Sequence, residues 1–132
     1  MVLVDTNVLL DVLQDDPQWA EWSIGQLRAQ ARVHALAINP VIYAEISLSF
    51  STLEALDAVV VRLALEIHEI PKAALFLAGK AFAQYRKRGG SKAQVLPDFF
   101  IGAHAAVNRW PLLTRDASRF RTYFPTLAVV AP

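Results

Sequence analysis

The chain begins with Met1-Val2-Leu3-Val4-Asp5-Thr6-Asn7, four apolar residues followed by three polar ones. A short apolar run that ends at a polar residue is typical of a buried strand. The side-chain oxygens of Asp5, Thr6 and Asn7 accept hydrogen bonds from free backbone amides, so these residue types favour the start of a helix. The stretch therefore predicts a buried strand that leads directly into a helix.

The same alternation of short apolar runs and helical patterns continues along the chain. Further strands are predicted at residues 33–38, around Ile67 and Ile70, at residues 111–114 and at residues 127–130. Helices are predicted to begin at Asp15-Asp16-Pro17, at Asn39-Pro40, at a capping box of Ser51 and Glu54, at Pro71 and at Pro97-Asp98, with Gly89-Gly90 ending the fourth of these. Strands separated by helices predict right-handed crossovers and a mainly parallel, five-stranded sheet covered on both faces. We expect one α/β domain that spans residues 1–132.

The composition is that of a folded single domain. Hydrophobic residues make up 55% of the 132 residues and the formal net charge is only +1, which excludes a disordered chain. The longest stretch without an acidic or basic residue, 33–44, is shorter than the ~20 residues that a membrane-spanning helix needs. The absence of cysteine excludes disulfides and thiolate chemistry. No signal peptide is recognisable, and we expect a soluble, cytoplasmic protein without membrane association.

Charge is distributed unevenly along the chain. Residues 1–79 contain ten acidic and four basic residues, whereas residues 80–121 contain nine basic and two acidic ones. A basic half on a nearly neutral protein predicts an anionic partner, most often nucleic acid. On charge alone, solvated helix faces explain the pattern equally well.

Four acidic residues occupy positions where a functional role competes with a structural one. Asp5 follows the first predicted strand and Asp116 the fourth, and parallel sheets bind ligands beyond the carboxyl ends of their strands. Asp98 begins a predicted helix, so for all three the alternative is a helix-start role. Glu45 differs, because it is the only charged residue between Arg32 and Glu54 and lies in an apolar helical pattern. A buried, unpaired carboxylate normally protonates, pairs or binds a cation, which favours a functional role for Glu45.

The chemistry of these acids selects a hard metal ion. Carboxylate oxygens without cysteine, and without histidine at ligand spacing, favour Mg²⁺ or Mn²⁺ over Zn²⁺. Converging carboxylates repel one another, and two divalent ions ~4 Å apart would neutralise them and activate a water for attack on a phosphodiester. The histidines occur singly, and each is expected to be a core or surface residue: His34, His68 and His104. An acidic metal site beside a basic flank predicts a nuclease.

Four segments of the chain together resemble PIN-domain ribonucleases, specifically the VapC-type toxins of bacterial toxin–antitoxin pairs. They are Val2-Leu3-Val4-Asp5-Thr6-Asn7-Val8-Leu9, Glu45 after Asn39-Pro40, Pro97-Asp98-Phe99-Phe100-Ile101-Gly102-Ala103-His104-Ala105, and Leu113-Thr114-Arg115-Asp116 before Phe120. The segments extend over essentially the whole chain, in the order and at the spacing of the family. Each segment is weak by itself, whereas four in register are a strong indication.

The resemblance implies a three-layer α/β/α domain with strand order 3-2-1-4-5 that cleaves RNA as an Mg²⁺- or Mn²⁺-dependent endoribonuclease. It also implies a homodimer and inhibition by a small cognate antitoxin protein. Asp5 and Asp98 match the catalytic acids that hold metal directly, and Glu45 and Asp116 match those that complete the metal site. The supporting polar residues are Thr6, Asn7 and Thr114. All four acidic positions of the family are filled in this chain.

Two binding surfaces follow from this interpretation. The basic excess around Asp98 and Asp116 predicts the path of the RNA substrate, with a helix C-terminus as the alternative role for the first three basic residues. The residues predicted to flank the RNA are Arg86, Lys87, Arg88, Lys92, Arg115 and Arg119. Trp19 and Trp22, on an early helix, predict part of the antitoxin groove, with core packing as the alternative.

Other functions remain open from the residues themselves. A phosphatase or phosphotransferase would use Asp5 as its nucleophile, but the haloacid-dehalogenase pattern has a second aspartate where this chain has Asn7. A response-regulator receiver needs a lysine after a late strand, where Arg115 stands instead. A non-catalytic RNA- or protein-binding module explains the basic half of the chain but not Glu45 in its apolar helix. Incubation with RNA, with and without Mg²⁺, discriminates among these functions.

Overall fold

The computed structural model describes every residue from Met1 to Pro132 and has a parallel sheet at its centre. The strands are β1 (Val2–Val4), β2 (Leu36–Ile38), β3 (Leu65–Ile67), β4 (Leu112–Leu113) and β5 (Val129–Val130). Their order in the sheet is β3-β2-β1-β4-β5, and each neighbouring pair is parallel. The predicted strand order and parallel arrangement are confirmed.

Seven α-helices connect these strands. They are α1 (Thr6–Leu13), α2 (Ala20–Ala31), α3 (Pro40–Ser47), α4 (Leu53–Arg62), α5 (Lys72–Lys87), α6 (Leu96–Asn108) and α7 (Ser118–Tyr123). Helix α1 packs against α2 and α3, while α5 packs along α6. The result is the predicted α/β/α domain, in which helices connect parallel strands and bury the sheet. None of the helices has both the length and the apolar character required to cross a lipid bilayer.

The sheet is buried where the apolar runs of the sequence predict it. Val2, Leu3 and Val4 are fully buried, as are both residues of β4. Leu3 pairs with Ala37 on one side and with Leu112 on the other, so β1 lies at the centre of the sheet. A strand with neighbours on both sides and helices on both faces accepts no polar side chain, which explains its unbroken apolar sequence.

The residue that caps α4 differs from the prediction. Asn39 caps α3 through its side chain, as expected. The predicted capping box of Ser51 and Glu54 is wrong, because α4 is capped by Thr52, whose hydroxyl accepts from the amide of Ala55 at 3.1 Å. Thr52 has the extended backbone that a cap requires (φ −137°, ψ 153°), and this places its hydroxyl over the free amides of the first turn.

Several element boundaries also move, and the strands predicted at residues 33–38, 111–114 and 127–130 are shorter, at Leu36–Ile38, Leu112–Leu113 and Val129–Val130. The helix predicted from Asp15-Asp16-Pro17 begins only at Ala20, because Asp16 accepts from the amides of Gln18 and Trp19, both at 2.9 Å, and forms a separate turn. The third strand, predicted around Ile67 and Ile70, lies at residues 65–67. It is an edge strand whose only buried residue is its first, so its sequence carries little of the strand pattern.

Candidate active site

The pairing of β1 with β4 brings two polar residues together at one edge of the sheet. Val4 lies opposite Leu113, so the residues that follow these parallel strands emerge side by side. The amide of Asp5 donates to the carbonyl of Leu113 at 2.9 Å, and the hydroxyl of Thr114 donates to Oδ2 of Asp5 at 2.7 Å. Asp5 and Thr114 are both buried.

The other three acids reach the same place from different elements. Glu45 belongs to α3, Asp98 lies in the first turn of α6, and Asp116 follows β4 in an exposed turn. All four acids line one cavity of about 240 Å³, which we call the acidic cavity. Its remaining lining residues are Thr6, Asn7, Leu10 and Phe120. The structure thus brings together the four acids that the sequence analysis singled out.

The supporting polar residues contact the acids directly. The hydroxyl of Thr6 donates to Oε1 of Glu45 at 2.6 Å, and its amide donates to Oδ1 of Asp5 at 2.7 Å. The side-chain amide of Asn7 donates to the hydroxyl of Thr114 at 3.4 Å. Two of the four carboxylates are therefore held by hydroxyl groups rather than by cations.

Burial and mutual repulsion raise the pKa of three of the acids. Burial raises the pKa of Asp5 to about 7, and the nearby charges of Asp98 and Glu45 add to this, although the hydrogen bonds from Thr114 and Thr6 act in the opposite direction. Burial also raises the pKa of Glu45, with a contribution from Asp98. The acidic cavity therefore disfavours the ionised forms of these carboxylates, chiefly through burial and secondarily through their mutual repulsion.

One cation contacts an acid of the cavity. Nη1 of Arg119 lies 2.6 Å from Oδ2 of Asp98, and the guanidinium group also lies over the ring of Tyr85, 6.0 Å from its centre. Burial raises the pKa of Asp98 and the charge of Asp116 adds to this, whereas Arg119 lowers it. Arg119 thus lies against one of the acids, although the sequence placed it beside the RNA.

The donor chemistry of the acidic cavity fits a hard divalent cation. No three His, Cys, Asp or Glu side chains are arranged so that they hold one metal ion. The cavity nevertheless offers four carboxylates and the hydroxyl of Thr6, an all-oxygen donor set, and three of these carboxylates have raised pKa values. The residues that would hold a cation are Asp5, Glu45, Asp98 and Asp116.

Arg115 contacts an acid outside the acidic cavity, which it does not line. Its Nε lies 3.0 Å from Oδ2 of Asp11, a carboxylate that is only 2% exposed, and its guanidinium group lies 5.4 Å from the ring centre of Trp19. Asp11 was not among the functional residues predicted from the sequence. A usable signal was present, since Asn7 and Asp11 are four residues apart on α1 and so share one face of that helix.

The remaining basic residues predicted to bind RNA are exposed near the end of α5. The guanidinium group of Arg86 lies over Phe82, and that of Arg88 over Tyr123, at 5.8 Å and 5.3 Å from the ring centres. The side chains of Lys87 and Lys92 make no contact with an acid. None of these four residues lines the acidic cavity.

The two tryptophans predicted to contact an antitoxin are partly exposed. Trp19 and Trp22 form an edge-to-face pair with their ring centres 6.2 Å apart. Trp22 also packs against the hydrophobic core, so it contributes to the fold as well as to the surface. Of the histidines, which were predicted to be core or surface residues, His104 is fully buried.

Several solved structures have the same fold. The chain superposes on VapBC2 from Rickettsia felis bound to a DNA fragment from their promoter with a TM-score of 0.75 and 20% identity, covering 100% of this chain and 99% of that one. For VapBC-1 from nontypeable Haemophilus influenzae the TM-score is 0.74 with 16% identity, covering 99% and 98%. For a toxin–antitoxin complex from Klebsiella pneumoniae it is 0.68 with 24% identity, covering 98% and 96%.

Sequence comparison gives the family. Among curated proteins, none is significantly similar to this chain in sequence. The model of the PIN domain family matches residues 2–124, a range that includes β1 and all four acids of the cavity. With this match and the strand order 3-2-1-4-5, the chain belongs to the PIN domain family.

Proposed function

We propose that this PIN-domain protein is a divalent-metal-dependent endoribonuclease and the toxin of a toxin–antitoxin pair. The observation that carries the proposal is the acidic cavity, in which four carboxylates from three helix–strand units line one space at the carboxyl edge of the sheet. The likeness of the fold to the VapBC complexes and to the Klebsiella toxin–antitoxin complex supports the biological role.

Asp5 and Asp98 are the residues we assign to direct binding of Mg²⁺ or Mn²⁺, and Glu45 and Asp116 complete the site. When bound, the ions supply positive charge that neutralises the phosphodiester and favours ionisation of the attacking water. Thr114 orients Asp5 by donating to only one of its oxygens. The exposed position of Asp116 leaves its carboxylate accessible from solvent, where an RNA strand arrives.

Thr6 has two tasks in this assignment. Its amide and its hydroxyl orient Asp5 and Glu45 respectively, so one residue fixes the relative position of two acids. Because both hydrogen bonds favour the ionised carboxylates, they also oppose the rise in pKa that burial causes. A site that must bind cations near neutral pH needs this compensation.

RNA is the substrate that the surrounding charges favour. Arg86 and Arg88 lie over aromatic rings at the end of α5, and Arg119 lies over Tyr85 next to Asp98. Stacking on an aromatic ring restricts a guanidinium group and leaves its N–H edge available to phosphate oxygens. We assign the RNA path to these three arginines together with the exposed Lys87 and Lys92.

The test is cleavage of a structured RNA in Mn²⁺, in Mg²⁺ and in EDTA. We expect fragments only with a divalent ion, and none from Asp98→Asn. The matched control is Glu69→Gln, an exposed acid outside the acidic cavity, which retains full activity. Fragments in EDTA, or from Asp98→Asn at the wild-type rate, would overturn the proposal.

The same preparation decides between the alternatives. A phosphatase releases phosphate from a small phosphomonoester, whereas a nuclease does not. A non-catalytic RNA-binding module retains RNA but leaves it intact in every buffer. The acidic cavity favours the nuclease, because a module that only binds RNA gains nothing from four carboxylates beside the RNA path.

A cognate antitoxin and a second copy of the chain are the proposed protein partners, acting in the cytoplasm. The partly exposed pair Trp19 and Trp22 offers aromatic surface to an antitoxin. Leu48 and Leu53 are 89% and 62% exposed beside a cavity of about 250 Å³, an apolar surface that fits a homodimer. Size-exclusion chromatography with light scattering tests the dimer. We expect the wild type to have the mass of a dimer and Leu48→Lys that of a monomer, and a monomeric wild type contradicts the proposal.

A further inference from the structure

An ion pair joins the buried carboxylate of Asp11 to Arg115, whose side chain is 33% exposed. Asp11 is 2% exposed, and its Oδ2 accepts from Nε of Arg115 at 3.0 Å and from the hydroxyl of Ser23 at 2.8 Å. Arg115 is the residue between Thr114 and Asp116, both of which belong to the candidate site. The pair therefore connects α1 and α2 to the segment that carries one of the four acids.

The backbone of this segment is held by the same helix. The amide of Arg115 donates to Oδ1 of Asn7 at 3.2 Å, and the amide of Asp116 donates to the hydroxyl of Thr114 at 3.2 Å. Asn7 and Asp11 are four residues apart on α1, so one face of that helix holds both the backbone and the side chain of Arg115.

The direction of the Arg115 side chain matters for the charge of the cavity. Arg119 shows the other arrangement, since its guanidinium group contacts the cavity acid Asp98. Arg115 instead lies between Asp11 and the ring of Trp19, and it does not line the acidic cavity. Asp11 thus keeps a second guanidinium group away from carboxylates that a divalent cation would have to bind.

We propose that Asp11, acting through Arg115, is a positioning residue that fixes the Thr114–Asp116 segment and keeps Arg115 out of the acidic cavity. This inference rests on the proposed function for its metal-binding readout. It also removes Arg115 from the residues that contact RNA. Asp11 touches neither the cavity nor the substrate path, so its effect on metal and on RNA is indirect.

The main test measures Mn²⁺ affinity by calorimetry for Asp11→Asn and for Ser23→Ala. Both variants lose part of the same buried cluster, but Ser23→Ala keeps the ion pair and the Arg115 contacts. We expect Asp11→Asn to bind Mn²⁺ about tenfold more weakly, the size typical for residues that orient metal ligands, and to lower kcat with little change in KM. Ser23→Ala lowers the melting temperature and leaves the Mn²⁺ affinity unchanged.

A second variant separates positioning from simple destabilisation. Asp11→Asn together with Arg115→Gln removes both charges of the pair, and with them the guanidinium group that Asp11 keeps out of the acidic cavity. We expect its Mn²⁺ affinity to be no lower than that of Asp11→Asn, because two residues that act as one unit are not additive. Equal Mn²⁺ affinity in wild type and Asp11→Asn, or a lower Mn²⁺ affinity in the double variant than in Asp11→Asn, would overturn the proposal.

A third measurement is independent of metal and of activity. Hydrogen exchange of the Arg115 and Asp116 amides reports the order of the segment in EDTA. We expect faster exchange of both amides in Asp11→Asn, with the amides of β1 unchanged, and unchanged exchange at Arg115 and Asp116 contradicts the positioning role. A wild type that binds no Mn²⁺ and cuts no RNA overturns the proposed function instead, and the exchange rates still decide the role of Asp11.

Discussion

Oδ2 of Asp98 and Nη1 of Arg119 lie 2.6 Å apart, which is the only ion pair made by an acid of the cavity. Both side chains are about one-third exposed, at 33% and 31%. Asp98 is thereby the one acid of the four whose charge is balanced by a side chain of the protein. The other three acids accept hydrogen bonds from hydroxyl groups: Asp5 from Thr114, Glu45 from Thr6 and Asp116 from Ser118.

This ion pair predicts a pH effect. Arg119 lowers the pKa of Asp98 while burial and Asp116 raise it, so Arg119→Gln leaves only the influences that raise it. Since the proposed chemistry requires ionised Asp98, we expect the acidic limb of the pH–rate profile to move to higher pH. The loss of RNA cleavage is then larger at pH 6 than at pH 8.

Arg88→Gln is the matched control for that profile. Arg88 also lies over an aromatic ring but contacts no acid. We expect this variant to bind RNA more weakly by the same factor at every pH. An unshifted acidic limb in Arg119→Gln would show that its charge does not govern the ionisation of Asp98.

The hydroxyl of Thr114 is predicted to stabilise the fold and the site together. Thr114→Val keeps the shape of the side chain but removes the hydrogen bond to Oδ2 of Asp5. We expect the free energy of unfolding to fall by about 2 kcal/mol, the size of a hydrogen bond to a charged group. Urea unfolding measures it, and Thr114→Ser, which keeps the hydroxyl, retains most of the stability. A larger loss in Thr114→Ser than in Thr114→Val would assign the effect to packing of the methyl group, which valine keeps and serine lacks.

Much of the fold was predictable because the sheet is buried on both faces. The run Val2–Val4 and the following Asp5 define β1 and the edge where the cavity forms, and the resemblance of four segments to one family supplied the strand order. The boundaries that moved depend on local hydrogen bonds. Ser51 and Thr52 are both good capping residues, and only the backbone conformation decides between them.

The convergence of the four acids was easier to predict from the sequence than the partners of the arginines. A carboxylate at the end of a buried strand has few structural explanations, so Asp5 stands out from the sequence. An arginine has many structural explanations, and its partner depends on tertiary contacts. Arg115 pairs with Asp11, 104 residues away in sequence, and Arg119 pairs with Asp98, 21 residues away. Neither ion pair could be predicted from the local sequence around these two arginines.

His104 predicts a loss of stability in acid. Oδ1 of Asn39 accepts from the amide of Ile42, so its NH₂ group donates to Nδ1 of His104 at 3.2 Å, and the ring proton is on Nε2. Burial, with a contribution from His68, lowers the pKa of His104 from 6.5 to about 4. Between pH 6.5 and 4, His104 is therefore protonated in the unfolded chain but neutral in the folded protein, and stability is lost as the pH falls through this range.

The measurement compares wild type with His104→Gln by urea unfolding at pH 7 and pH 4.5. We expect the difference in unfolding free energy between the two proteins to shift by about 2 kcal/mol against the wild type at the lower pH. Because the comparison is a difference, the titration of the cavity acids cancels. A constant difference across this range would mean that His104 accepts a proton in the folded protein.

Salt dependence tests the RNA path. Arg86 and Arg88 are held over Phe82 and Tyr123, whereas Lys87 has no such contact. In EDTA, where RNA is bound but not cut, Arg86→Gln and Arg88→Gln should each reduce the log–log slope of RNA affinity against salt by about 0.7, the value for one phosphate contact on a single strand. Lys87→Gln reduces it less. An unchanged slope in both arginine variants contradicts this path.

Asp5→Asn separates metal binding from helix capping at a single residue. The pKa of Asp5 is about 7 in the folded protein against a usual 3.8, so the metal-free wild type loses stability as the pH rises from about 4 through 7. Asparagine caps the helix about as well as aspartate and carries no charge. In EDTA at pH 8 we therefore expect Asp5→Asn to be more stable than the wild type, by an amount on the order of 2 kcal/mol, and at pH 5 we expect the two proteins to be nearly equal in stability.

In saturating Mn²⁺ the order of stability of the wild type and Asp5→Asn reverses, because a ligand stabilises the fold according to its affinity, by about 2.7 kcal/mol at a hundredfold excess over Kd. The measurement is thermal melting of both proteins in EDTA and in Mn²⁺, together with an RNA cleavage assay. If Asp5→Asn shows the full wild-type rise in melting temperature with Mn²⁺, or cleaves RNA at the wild-type rate, the chemistry does not take place at Asp5.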